Sequence, residues 1–169
     1  MPRRSLPDAA EFGLRSTADM AGERGGLAPW CGPAAVAHVT GRSYAGACAL
    51  LQSIAPDRYP EGAELATAWW RDLVAALSAD AVPMRMMPEL PEKARPTLCA
   101  YARGLAPGWY LVRVSGHFLL LQVPPPGGGR QPLVFDNRHD GVPPGSGRAH
   151  GRRRVTHAVM LPEGPRPAD

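Results

Sequence analysis

Lysine is almost missing from this chain. Lys93 is the only one, so 18 of the 19 basic residues are arginines, a skew that fits GC-rich coding as well as any function. Cysteine is scarce too. Cys31, Cys48 and Cys99 are odd in number and irregular in spacing, which does not make a disulfide framework. No CxxC pair and no His/Cys ligand spacing points to zinc, and no metal or cofactor is expected. Long apolar runs are absent: the longest, around Phe118-Leu119-Leu120-Leu121, has the length of a strand, not of a membrane span. The N-terminal basic residues are not followed by an apolar segment of the kind that marks a secretory signal. These absences lead to the expectation of a reduced, cytoplasmic protein without a membrane partner.

The chain has 169 residues, of which 44% are apolar and 7% aromatic. That length suits one compact domain with a core that needs no covalent staples. The formal net charge is +4. Its arginines are scattered except for Pro2-Arg3-Arg4 and Arg152-Arg153-Arg154. Such blocks can bind nucleic acid through phosphates, but short ones at segment ends read as solvated charge, and nucleic acid is not expected as a partner.

Periodicity divides the chain in two. Residues 1–27 are polar, with Gly and Pro, and read as an N-terminal arm. A first core helix is signalled by Cys31-Gly32-Pro33-Ala34-Ala35-Val36, with proline tolerated in its first turn and Gly41 as its stop. Ser43 caps a second helix through about Ile54, with Tyr44, Ala47, Leu50 and Leu51 as its apolar face. Leu65, Trp69, Leu73 and Leu77 recur every fourth residue and predict a third helix over about 61–78. Thr97 predicts a short helix ending at Gly104.

Beyond it the period changes to two. Tyr110–Val114, His117–Val123, Leu133–Asp136 and Arg154–Met160 read as strands. Ser115-Gly116 reads as a tight connection or bulge, and 138–152 as a Gly-rich mobile loop that leaves His139 and His150 exposed. Residues 162–169 read as a flexible tail. Helices first and strands afterwards predict an α+β domain with a mostly antiparallel sheet.

The chemistry-bearing residues follow from this layout. Cys31 lies at a helix start, where unpaired N–H groups and the positive end of the helix dipole favour thiolate over thiol. Gly32, Ala34 and Ala35 keep that helix slender, so that it can approach a sheet and leave room for substrate backbone. A cysteine nucleophile needs a positioned imidazole. His117 follows Gly116 at a strand end, a place that holds a side chain rigidly yet leaves it reachable. An imidazole in turn needs a group that fixes its tautomer. Asp136 ends the next strand, 136 − 117 = 19 residues on, which suits a strand, a turn and a return strand. Asn137 is the neighbouring candidate for the same role. His157 is the reserve base. His38, Cys48 and Cys99 read as packing residues, and Trp109 as core or groove wall.

In this order, the segments Trp30-Cys31-Gly32-Pro33-Ala34-Ala35-Val36, Gly116-His117-Phe118-Leu119-Leu120-Leu121 and Val134-Phe135-Asp136-Asn137 resemble the nucleophile helix, histidine strand and acid strand of papain-like cysteine peptidases. The double-glycine leader peptidases of bacteriocin exporters are the nearest familiar group. Thr40-Gly41-Arg42-Ser43-Tyr44 and Gly108-Trp109-Tyr110-Leu111-Val112 are also similar to segments of small phage-encoded papain-like proteins. The resemblance spans roughly residues 28–161. It implies a papain-like domain whose nucleophile helix packs on a C-terminal sheet. It also implies a Cys31-His117-Asp136 triad (or Asn137 in third place), and a peptide or isopeptide substrate. The same triad can serve a transferase or amidase, and the same scaffold an inactive protein-binding domain.

One departure stands out. Papain-like enzymes place a Gln or Asn shortly before the cysteine to donate to the oxyanion, whereas residues 21–30 contain no side-chain amide. Losing such a donor costs about 2.7–4 kcal/mol of transition-state stabilisation. The Cys31 backbone N–H is one replacement; Arg24, the Trp30 indole and a loop amide are candidates for the second.

Overall fold

A computed structural model describes residues 7–145 and 147–169. The basic run Pro2-Arg3-Arg4 lies outside them. The described residues form five helices and one six-stranded sheet, an α+β architecture in which every strand pair is antiparallel. The helices are α1 (Thr17–Gly22), α2 (Cys31–Thr40), α3 (Tyr44–Ile54), α4 (Trp70–Ala79) and α5 (Leu98–Gly104). The strands are β1 (Arg85–Met86), β2 (Gly108–Val114), β3 (His117–Val123), β4 (Leu133–Phe135), β5 (Asp140–Val142) and β6 (Val155–Leu161), in spatial order β1-β6-β2-β3-β4-β5. No helix among the described residues is long and apolar enough to cross a membrane.

Alternation along the strands supplies two cores. Leu111, Phe118, Leu120, Phe135, Val159 and Leu161 face α2, α3 and α4. Tyr110, Val112, Leu119, Leu121, Val134 and Val155 face the other way, where Leu98 and Ala102 of α5 cover them. Burial on both faces is why β3 reads as an unbroken apolar run. Ser115-Gly116 is a two-residue turn joining β2 to β3, with Gly116 at φ +72°, a conformation that suits glycine.

The caps behave as their residue types dictate. The Ser43 hydroxyl accepts from the Gly46 N–H at 3.0 Å, and the Thr97 hydroxyl from Ala100 at 3.3 Å. Gly41 closes α2 at φ +76°. A side chain there would overlap the Pro167 carbonyl, because the C-terminal segment docks on this corner.

Four expectations need correcting. The third helix begins at Trp70, not near Glu61. Tyr59 decides the point: its hydroxyl accepts from the Trp69 N–H at 3.0 Å and donates to the buried Asp72 carboxylate at 2.7 Å, fixing the first turn of α4. Trp69 is therefore a cap residue, 54% exposed, while Leu65, Leu73 and Leu77 are buried as the pattern required.

Residues 7–27 are also more than an arm. They carry a 3-10 turn at Ala9–Phe12 and α1, bury Ala9, Leu14 and Met20, and are tied to β5 through Thr17, whose N–H and hydroxyl both donate to Asp140. The tail is docked: Arg166, Ala168 and Asp169 donate backbone N–H groups to Val39, Gly13 and Gly41. Finally, the segment 138–152 is not a loose loop. It holds β5 and then a tight turn whose Gly151 carbonyl accepts from the Cys99 N–H at the start of α5.

Candidate active site

Cys31 is the first residue of α2. Its predecessor Trp30 sits in an extended conformation and gives no side-chain cap, so the first N–H groups of the helix, those of Cys31 and Gly32, have no partner within it; Pro33 has none to offer. Gly32 faces the chain that leads into α4, and a Cβ on it would lie 2.5 Å from the Ala68 Cβ. The slenderness read from the sequence thus serves a close approach to Ala68.

His117 opens β3 and Asp136 follows β4. The β3–β4 register pairs Leu120 with Phe135, so one further step sets Asp136 opposite Leu119 and makes His117 its diagonal neighbour on the same face. The geometry is realised: His117 Nε2 donates to Asp136 Oδ2 at 2.8 Å, with the carboxylate wholly buried. That bond fixes the tautomer and leaves Nδ1 as the nitrogen available to Cys31.

Electrostatics link the three residues. Burial by itself pushes the Cys31 thiol up, but the His117 imidazole and the backbone N–H groups of Phe118 and Cys31 outweigh it and hold the thiol below its ordinary value. Burial would likewise pull His117 down, and its bonds to Asp136 and Cys31 carry it up to about 9. The thiol and the imidazole thus shift each other, and catalytic contacts of this kind commonly tighten when substrate binds.

Asp136 has more partners than the sequence suggested. Its carboxylate accepts from His139 Nδ1 at 2.9 Å, from His150 Nε2 at 2.9 Å, and from the backbone N–H groups of Arg138 and His139 at 2.7 and 2.8 Å. Burial opposes ionisation, but the bonds from His117, His139 and His150 hold the group well below the usual carboxylate range. The expectation that His139 and His150 are exposed is therefore wrong. Both are half-buried, and the His150 ring lies against His117, tilted by 30° with centroids 4.0 Å apart. His139 had a local signal, because Asp136 to His139 form a turn closed by the aspartate itself. His150 had none.

The other candidates fall elsewhere. Asn137 makes no hydrogen bond to His117; its amide donates to the Pro29 carbonyl at 2.8 Å, two residues before the cysteine. His157 is exposed, stacked on Trp70 and hydrogen-bonded to Thr156. His38 is buried, with Nε2 3.2 Å from the Arg15 carbonyl. The Cys99 thiol donates to the Pro144 carbonyl, and Trp109 packs against Phe12 and Phe135. The two side chains considered for the oxyanion are already engaged: Arg24 bonds Ala28 and Glu64, and the Trp30 indole donates to Glu64.

Ligand atoms of His117, Asp136 and His150 lie within 4.8 Å of one another, close enough to consider a metal. Two imidazoles sharing a tetrahedral zinc ion through bonds of about 2.0–2.1 Å place their ring centres roughly 5 Å apart. The 4.0 Å separation of the two rings is shorter, and each Nε2 points at the carboxylate oxygen. The cluster is built as N–H donors around an anion.

No family model, curated protein or solved structure matches this chain.

Proposed function

We propose that this protein is a papain-like cysteine hydrolase that cleaves a peptide or isopeptide bond, with Cys31 as nucleophile, His117 as acid and base, and Asp136 as the group that orients the imidazole. The observation that carries the reading is the relay itself: a lowered thiol at a helix start, an imidazole raised to about 9, and a buried carboxylate on the far ring nitrogen.

The reactive form in this reading is the thiolate–imidazolium pair, favoured by the lowered thiol and the raised imidazole. The Cys31 thiolate attacks the substrate carbonyl, forming the S–C bond and an oxyanion. Collapse breaks the C–N bond, and His117 gives its Nδ1 proton to the departing amine. Water, deprotonated by the now neutral His117, attacks the thioester; the acid product leaves and the ion pair returns. The backbone N–H groups at the uncapped start of α2, that of Gly32 and, once the thiolate has attacked, that of Cys31, are the oxyanion donors of this reading. The resemblance to phage-encoded proteins makes a phage or host protein the proposed substrate.

The test is covalent labelling with a peptide-aldehyde or peptide-epoxide series, followed by peptide mass mapping. Cys31 should be modified in preference to Cys48 and Cys99, and His117→Ala should abolish the preference. Equal labelling of all three cysteines would refute the proposal.

A second reading has its own support. Arg24 and Trp30 are committed to Glu64, and no side-chain amide precedes Cys31. A protein-binding domain on the same scaffold needs no oxyanion hole. If Cys31→Ala leaves the biological activity intact, that reading replaces the enzymatic one.

A further inference from the structure

We propose that His150 is a fourth member of the catalytic assembly, a positioning residue that acts through Asp136 and against the ring of His117. The inference rests on the hydrolase reading and assigns a role to a residue the triad does not require.

Two contacts place it there. His150 Nε2 donates to Asp136 Oδ2, the same oxygen that receives His117 Nε2, at 2.9 and 2.8 Å. Its ring lies 4.0 Å from the His117 ring at an interplanar angle of 30°. One contact holds the carboxylate in line with the base. The other walls the base in, so that the imidazole cannot rotate away from Cys31. His139 grips the carboxylate from its own turn and touches His150 edge-on, with ring centres 5.4 Å apart, whereas the ring that lies against His117 is that of His150.

The backbone is shaped to deliver this side chain. Ala149 and His150 are consecutive non-glycine residues in the left-handed region, at φ +43° and +61°. Such conformations persist only where the surroundings over-determine them, and they gather at functional sites. The surroundings here are specific. Ala149 is buried, the Arg148 carbonyl accepts from Gly151, and the His150 carbonyl accepts from Arg153 at 2.8 Å. Gly151 lies so close to Gly145 that a side chain would overlap its carbonyl. A fold that only needed to join β5 to β6 has no use for a strained imidazole donor pointed at a buried carboxylate.

The role requires a donor and a flat group at this position, which a merely structural residue would not. The pH dependence of Cys31 alkylation by iodoacetamide, read on the Cys31 peptide by mass spectrometry, is compared in wild type, His150→Ala, His150→Gln and His150→Gly. His150→Ala should move the midpoint of reactivity up by about one pH unit, which is about tenfold in thiolate at a fixed lower pH. His150→Gln, whose amide N–H reaches about as far as Nε2, should recover most of it. His150→Gly relieves the left-handed backbone, so it should melt no lower than His150→Ala and still show the shifted midpoint. Recovery by Gln with the loss retained in Gly supports the proposal. A profile in His150→Ala that overlays the wild type overturns it and leaves the triad intact. Losses in Ala and Gln that are equal and track melting temperature also overturn it, as a folding effect. An ordinary thiol profile in the wild type itself overturns the hydrolase reading, and this one with it.

Discussion

The Asn137 amide donates to the Pro29 carbonyl at 2.8 Å, tying the residue after Asp136 to the residue before Trp30-Cys31. Adjacent residues of one turn thus hold the two halves of the candidate site: Asp136 bonds His117, the proposed base, and Asn137 bonds the segment that leads to Cys31, the proposed nucleophile. Asn137→Ala removes the only hydrogen-bond donor to that carbonyl found among the described residues. It should cost about 1–3 kcal/mol of stability and slow labelling of Cys31 without moving its pH midpoint. Asp136→Asn should instead shift the midpoint upward. Parallel pH profiles of the two variants check the division of roles.

Activity should fall on the alkaline side as His117 loses its proton. The imidazole is raised to about 9, and in the proposed mechanism only its protonated form both sustains the thiolate and supplies a proton to the leaving amine. The acid limb follows thiolate formation, below the ordinary thiol range. The measurement is kcat/KM against pH on a cleaved peptide. A rate still climbing well above pH 9 would contradict the assignment of His117.

Stability should depend on the same pair, with opposite signs at the two ends. The folded Asp136 carboxyl is depressed, so its contribution is present above the unfolded value of about 3.9 and is lost as pH falls. His117 is raised, so its contribution is full below the unfolded value of about 6.5 and is lost as pH rises through about 9. The gap between wild type and Asp136→Asn in urea unfolding should therefore be widest between about pH 4 and 6.5 and narrow on either side.

Gly32→Ala should be destabilising although alanine is the better helix former. The new Cβ would meet the Ala68 Cβ at 2.5 Å, and the Ala68–Trp69 segment would have to move. Overpacking of this kind costs about 1–3 kcal/mol. Gly32→Ala with Ala68→Gly should recover most of the loss in thermal melts, because the second change removes the atom that is struck.

Tyr59→Phe should weaken the start of α4. It deletes the acceptor for the Trp69 N–H and one donor to buried Asp72, at a cost of about 1–3 kcal/mol. Hydrogen exchange should show the first turn of α4 opening more readily, with α2 and β3 unchanged.

Local chemistry was legible without the fold. The start of α2 at Cys31, its stop at Gly41, the Ser43 and Thr97 caps and the long strands each depend on neighbours within a few residues, and the sequence alone determined them. The same holds for bringing Asp136 to His117, because an antiparallel pair with a single turn makes a separation along the chain into a separation in space. Only the tertiary structure decided three things. It moved the start of α4 to Trp70, since helical periodicity continues through residues 61–69, whereas the Tyr59 hydroxyl, from the turn after α3, bonds the Trp69 N–H and the Asp72 carboxylate and sets the first turn there. It docked residues 7–27, by burying Ala9, Leu14 and Met20 and bonding Thr17 to Asp140, and the segment after β6, by backbone hydrogen bonds that side-chain patterns do not encode. And it carried His150 onto Asp136, because a left-handed turn fixed by close glycine packing delivers a side chain across a gap that no sequence period spans.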